Sequence, residues 1–174
     1  MQDDLQVLFS REQIIEKVEQ LAQEISQEYQ GKELLMICIL KGAVVFFADL
    51  IRSMSVPVKI DFMAVSSYGN ATKTSGVVRI IKDLDTSLKG QHVVIVEDII
   101  DTGLTLKYLM DNLESRKPAS LKICALLDKV DCRLVEISAD YQGFVIPDEF
   151  VVGYGLDCAE KYRNLAEVCV LSRP

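Results

Sequence analysis

Residues 93–105 hold the densest group of chemically capable side chains in the sequence. The apolar run Val93-Val94-Ile95-Val96 leads directly into Glu97-Asp98-Ile99-Ile100-Asp101-Thr102-Gly103-Leu104-Thr105. Such a run predicts a strand buried on both faces, so the acids that follow it stand at the mouth of the interior. Carboxylates beside buried isoleucines are costly unless a ligand or partner satisfies them. Gly103 lets the backbone turn tightly, so that successive N–H groups can converge on an anion at a helix N-terminus, and Thr102 and Thr105 add hydroxyl donors. Glu97 and Asp98 can accept hydrogen bonds from sugar hydroxyls or face magnesium, a hard cation that takes oxygen ligands. The Gly-x-x-x-x-Gly-Lys phosphate loop is absent. A purely structural reading would make this a strand, a capped helix and a few loop acids.

The elements around this stretch alternate between strand and helix. Ser10 and Gln13 form a capping-box pattern, and Ile14, Val18, Leu21, Ala22 and Ile25 then recur at helical spacing. Residues 34–40 form a continuous apolar strand, Lys41-Gly42 a turn, and residues 43–54 a second helix. A strand follows from Ile60 to Val65, and the small, polar residues 66–76 read as a mobile loop. Further strands are predicted at 77–84, 92–96, 121–127, 144–146, 150–154 and 168–171, with a helix at 104–113. Strand–helix alternation predicts an α/β fold with a mainly parallel sheet covered on both faces. In such sheets ligands sit beyond the carboxyl ends of the strands. Internal repeats and linkers are lacking, so residues 1–174 are expected to form one domain.

Composition narrows the function. The 174 residues include 19 basic and 26 acidic side chains, a net charge of −7, which disfavours a nucleic-acid partner held on a broad basic face. The five cysteines, Cys38, Cys124, Cys132, Cys158 and Cys169, contain no C-x-x-C pair and read as small core residues in a reducing compartment. The first nine residues include Asp3 and Asp4 and lack a signal pattern, and the apolar residues 34–48 are too short for a membrane span and carry Lys41. A cytoplasmic protein with no membrane contact is expected.

The 93–105 stretch resembles the 5-phosphoribosyl 1-diphosphate (PRPP) binding motif of type I phosphoribosyltransferases. Leu40-Lys41-Gly42, Ser67-Tyr68-Gly69, Leu127-Asp128-Lys129, the segment from Ile146 through Phe150 to Asp157, and Glu160-Lys161-Tyr162-Arg163-Asn164-Leu165 resemble segments of the hypoxanthine-guanine branch, in the same order. The resemblance spans about residues 5 to 172. It implies that Glu97 and Asp98 hold the ribose hydroxyls and associated magnesium. Asp101 would exchange the purine N7 proton, and Thr102, Gly103, Leu104 and Thr105 would cradle the 5-phosphate. Lys41 and Gly42 would meet the diphosphate through their backbone, after a peptide bond that is often cis in the family, and Arg163 through its side chain. Ser67 and Tyr68 would sit on a closing lid. Lys129 would donate to purine O6, Phe150 stack on the base beside Ile99, Val151 read the edge near C2, and Asp157 bind a second magnesium. Leu104 departs from relatives with lysine there, which leaves the phosphate loop less cationic.

The resemblance thus implies transfer of a 5-phosphoribosyl group from PRPP to a 6-oxopurine, with Mg2+ as cofactor. It also implies a small hood made by the chain ends and assembly as a homodimer or homotetramer. Two rivals stay open: a xanthine-preferring enzyme of the same family, and a nucleic-acid-binding regulator that keeps the fold. Taken singly, Phe150 fits a core position, Lys129 and Arg163 fit solvated surface charges, and His92 carries no assigned role.

Overall fold

The computed structural model describes residues 5–68 and 77–172. In chain order its elements are β1 (Leu5–Phe9), α1 (Arg11–Glu28), β2 (Leu34–Leu40), α2 (Val44–Ser53), β3 (Val58–Tyr68), β4 (Val77–Lys82), β5 (His92–Ile100), α3 (Leu104–Glu114), β6 (Ser120–Asp128), β7 (Tyr141–Val145), β8 (Val151–Val152) and β9 (Val168–Leu171). A 3-10 turn, Val130–Cys132, follows β6.

The continuous apolar runs of β2, β5 and β6 lie inside a six-stranded sheet ordered β4-β3-β2-β5-β6-β7. Its strands are parallel except β4, which runs antiparallel to β3. Alternation of side chains along each strand splits the core in two. Met36, Cys38, Val94, Val96, Cys124 and Leu126 meet α1 and α2 on one face. Leu35, Ile37, Val93, Ile95, Ile123 and Ala125 meet Leu106, Leu109 and Leu113 of α3 on the other. The predicted start of α1 is present in full: Ser10 N donates to Gln13 Oε1 at 2.9 Å, and Gln13 N donates to Ser10 Oγ at 3.3 Å. Such a cap contributes about 1 kcal/mol. A second, antiparallel sheet, β1-β9-β8, pairs Leu5 with Leu171 and so joins the two ends of the chain.

Several boundaries differ from the sequence expectation. β5 continues through Glu97 and Asp98 to Ile100, because pairing with β6 extends as far as Ile100 opposite Asp128. β3 runs on to Tyr68 through pairing with β4, so residues 66–68 of the expected loop are strand, and residues 69–76 lie outside the described residues. β1 was not foreseen, the strand expected at 150–154 is only the two residues of β8, and the strand at 144–146 begins earlier, at Tyr141. All five cysteines are free, but only Cys38, Cys124 and Cys169 are buried; Cys132 and Cys158 are half-buried. Residues 34–48 form β2, a turn and the start of α2. No helix among the described residues is long and apolar enough to cross a membrane.

Candidate active site

Beyond the carboxyl ends of β2, β5 and β6 lies a cleft of about 550 Å³. Lys41, Gly42, Glu97, Asp98, Ile99, Asp101, Thr105, Lys129, Phe150, Val151, Asp157 and Arg163 all line it, so it gathers most of the residues singled out in the sequence. An adjoining hollow of about 120 Å³ is bounded by Asp101, Thr102, Gly103 and Thr105. Gly103, at φ +83°, caps α3 in the left-handed region that a glycine adopts without penalty. Leu104, the first residue of α3, is half-buried and borders neither space. The backbones of Ser67 and Tyr68 belong to β3; their side chains lie outside the described residues.

Close packing fixes the floor of the cleft. The Leu40–Lys41 peptide is cis. Gly42 lies against Asp98 so tightly that a β-carbon would overlap its carboxylate. Gly155, at φ +102°, presses on the Gly42 carbonyl in the same manner. The 153–163 loop thereby docks on the Lys41-Gly42 turn, aided by Gly155 N donating to Arg163 O at 3.0 Å.

The floor is electrostatically unsatisfied. Burial, reinforced by the neighbouring Asp98, pushes the Glu97 carboxyl well above its ordinary range. Burial likewise raises Asp98 to about 6, against a hydrogen bond from Ile99 N at 2.8 Å and the attraction of Arg163. Among the described residues, neither carboxylate forms a salt bridge; the cations are engaged elsewhere. Arg163 pairs with Asp157 at 2.8 Å and Glu160 at 3.4 Å, and donates to Gly155 O at 2.8 Å. Its buried Nε has no hydrogen-bond partner among the described residues. Lys41 pairs with Glu160 at 3.3 Å in the open. Below the pair, the Cys38 thiol is pushed up to about 12 by burial and by both acids, which leaves it inert.

On the far wall Lys129 is 7% exposed, its ammonium 3.2 Å from Asp148 and 3.8 Å from Asp101. It is therefore not the solvated surface charge that its type alone would suggest. Asp101 itself is 55% exposed and faces the cleft. His92 stands at the start of β5, at the opposite end of the strand, with Nδ1 2.8 Å from Ser120 Oγ. Sequence reasoning assigned no role to Asp128, Arg133, Gly155 or Glu160. Asp128, Gly155 and Glu160 lie inside the segments that carry the resemblance, whereas Arg133 lies outside them and its pairing with Asp128 has no periodicity to betray it.

A buried acid beside a half-buried one, a glycine-turned helix start and a walled-in ammonium around one cleft offer anchors for the anionic and polar groups of a ligand. The phosphoribosyl transferase domain model matches residues 6–159. The chain belongs to the phosphoribosyltransferase family. The hypoxanthine-guanine phosphoribosyltransferase of Bacillus subtilis (strain 168) is 54% identical over 98% of this chain and 96% of its own length. That of Streptococcus thermophilus (strain CNRZ 1066) is 50% identical over 97% and 94%. A crystal structure of the Bacillus anthracis enzyme of the same name superposes with a TM-score of 0.93 at 50% identity, covering 97% of this chain and 100% of that one. The mixed sheet flanked by three helices is the type I fold of this family.

Proposed function

We propose that this chain works in purine salvage, transferring the 5-phosphoribosyl group of PRPP to N9 of hypoxanthine or guanine with release of diphosphate. The observation that carries this reading is the buried ammonium of Lys129, which lines the cleft beside Asp101. An ammonium has donors only, so it favours a base with an acceptor at C6 and rejects adenine, whose amino group only donates there.

In this reading the N–H groups of the 101–105 turn hold the 5-phosphate at the helix start. Glu97 and Asp98 accept from the ribose hydroxyls, Phe150 and Ile99 pack on the base, and the Val151 backbone reads its edge. Asp101, exposed beside Lys129, exchanges the N7 proton, while Arg163 and the Lys41-Gly42 backbone receive the diphosphate. The raised carboxyls of Glu97 and Asp98 are oxygen donors in need of positive charge, which fits magnesium, while Asp157, paired here with Arg163, would offer its carboxylate to a second ion. Magnesium held there with PRPP would neutralise charge on the departing diphosphate. The β1-β9-β8 sheet is the hood of a single domain that works in the cytoplasm as a homodimer or homotetramer.

A steady-state assay with hypoxanthine, guanine, xanthine, adenine and uracil, with and without excess EDTA, tests the reading. Turnover of hypoxanthine or guanine that is abolished by EDTA and restored by magnesium is expected. A preference for xanthine or for uracil, or full turnover in EDTA, would overturn it.

A further inference from the structure

Arg133 lies outside every segment that carried the family resemblance, yet it touches two of the residues assigned to the purine, Asp101 and Lys129. Its side chain is only 13% exposed. One Nη donates to the carbonyl of Asp101 and lies 3.5 Å from the carbonyl of Lys129. The other Nη pairs with the buried carboxylate of Asp128, whose second oxygen accepts from Gln142 Nε2 at 2.5 Å. Nε donates to Ile137 O at 3.3 Å. Its Cδ sits where a β-carbon on Gly103 would meet it at 3.4 Å.

We infer that Arg133 is a positioning residue for the reaction, holding Asp101 and Lys129 at a fixed separation. The inference rests on the proposed roles of those two residues. A guanidinium is a planar fork with donors on three nitrogens, so one group can serve a carboxylate and two carbonyls at once. Asp101 begins the turn after β5, and Lys129 begins the turn after β6. The strands hydrogen-bond only as far as Ile100 opposite Asp128. Just beyond that point Lys129 N donates to Ile100 O at 2.9 Å. Past it, Arg133 supplies the next link. Leu134 N donating to Thr102 O at 2.9 Å fastens the same segment to the phosphate loop. The Asp101 carboxylate and Lys129 ammonium are 3.8 Å apart, a spacing that lets both reach one ring of substrate. Loosening it by an ångström costs on the order of 100-fold in rate.

Arg133→Lys tests this, because a lysine keeps the charge beside Asp128 but cannot reach both carbonyls. A second variant, Asp128→Asn with Arg133→Met, removes the buried pair together and so leaves no buried charge unpaired. Both are compared with the parent by thermal melting, then by kcat and KM for PRPP, hypoxanthine and adenine at a temperature where all are folded. At least a tenfold fall in kcat for hypoxanthine is expected, with KM for PRPP within about threefold of the parent and a narrowed hypoxanthine-to-adenine ratio in kcat/KM. Should either folded variant keep kcat within about twofold and the parent's base ratio, Arg133 serves folding alone and the inference falls. A parent that fails to use hypoxanthine would instead sink the proposed function, so the two failures are distinguishable.

Discussion

Neighbouring strands β5 and β6 both carry buried or half-buried carboxyl groups near their carboxyl ends, and the protein treats them in opposite ways. Asp128, 1% exposed, is fully answered from within by Arg133 and Gln142. Among the described residues, Glu97 and Asp98, one strand away, are answered by backbone N–H groups of Ile99 and Asp98 and by the attraction of Arg163, with no salt bridge. Asp61 on β3 makes the same contrast. Burial alone would raise its carboxyl, but N–H groups of Phe62, Thr86 and Asp85 at 2.7–3.0 Å hold it below its ordinary range. This sequence therefore can satisfy a buried acid, and does so where the acid is structural. The pair left wanting a cation stands in the cleft, so the deficit marks where a ligand completes the structure.

The largest effect expected from this contrast is on stability at Asp128. Asp128→Asn leaves the nearly buried Arg133 without its counter-charge, and breaking a buried pair in this way costs about 3–5 kcal/mol. For a chain of this size the melting temperature should fall by roughly 10 °C. A melt within two degrees or so of the parent's would mean that Asp128 is no better answered than Glu97, and the contrast would collapse.

Asp98 should respond with the opposite sign. Its carboxyl rises from an ordinary 3.8 to about 6 on folding, so the folded chain holds this proton more tightly than the unfolded one. The charged form is destabilising, and that destabilisation grows as pH rises from about 4 to about 6, then levels off. Asp98→Asn should therefore stabilise the ligand-free protein by about 1–2 kcal/mol above pH 6, with the two stability curves converging near pH 4. Saturating PRPP and magnesium should reverse the order, because the parent gains more from binding. Urea denaturation across this pH range checks both halves. A variant less stable than the parent at pH 7.5 would show that Asp98 is already satisfied.

Much of this was legible in the sequence, for a physical reason. Apolar runs such as 34–40 and 93–96 and the Ser10–Gln13 box are local patterns, and local patterns survive folding. The cleft residues were legible through their clustering at a strand-to-helix turn. What was hidden depends on contacts across the sheet. β5 passes through Glu97 and Asp98 because β6 pairs with it there, although two acids in a row argue against a strand. The short alternation of β1 becomes a strand only when the other end of the chain arrives to pair with it. Arg133 sits in the irregular segment between β6 and β7, where no periodicity announces that its side chain is nearly buried.

The smallest effect concerns Glu160, at the open edge of the same cleft. Its carboxylate stands between Lys41 at 3.3 Å and Arg163 at 3.4 Å, and both Lys41 and Glu160 are more than 60% exposed. Exposed pairs of this kind contribute about 0–1 kcal/mol, so Glu160→Gln should leave the melting temperature nearly unchanged. Its consequence should lie in binding instead. Glu160 neutralises cations beside the place proposed for the diphosphate, and an incoming diphosphate must compete with it for Arg163. Removing its charge should lower KM for PRPP about two- to fivefold, with kcat unchanged and the gain shrinking as salt is raised. Steady-state kinetics at low and high ionic strength measure this directly. A raised KM would show the reverse relation: Glu160 would be aiming Arg163 at its ligand, and this exposed acid would then belong with Asp128, among those whose pairing the fold requires.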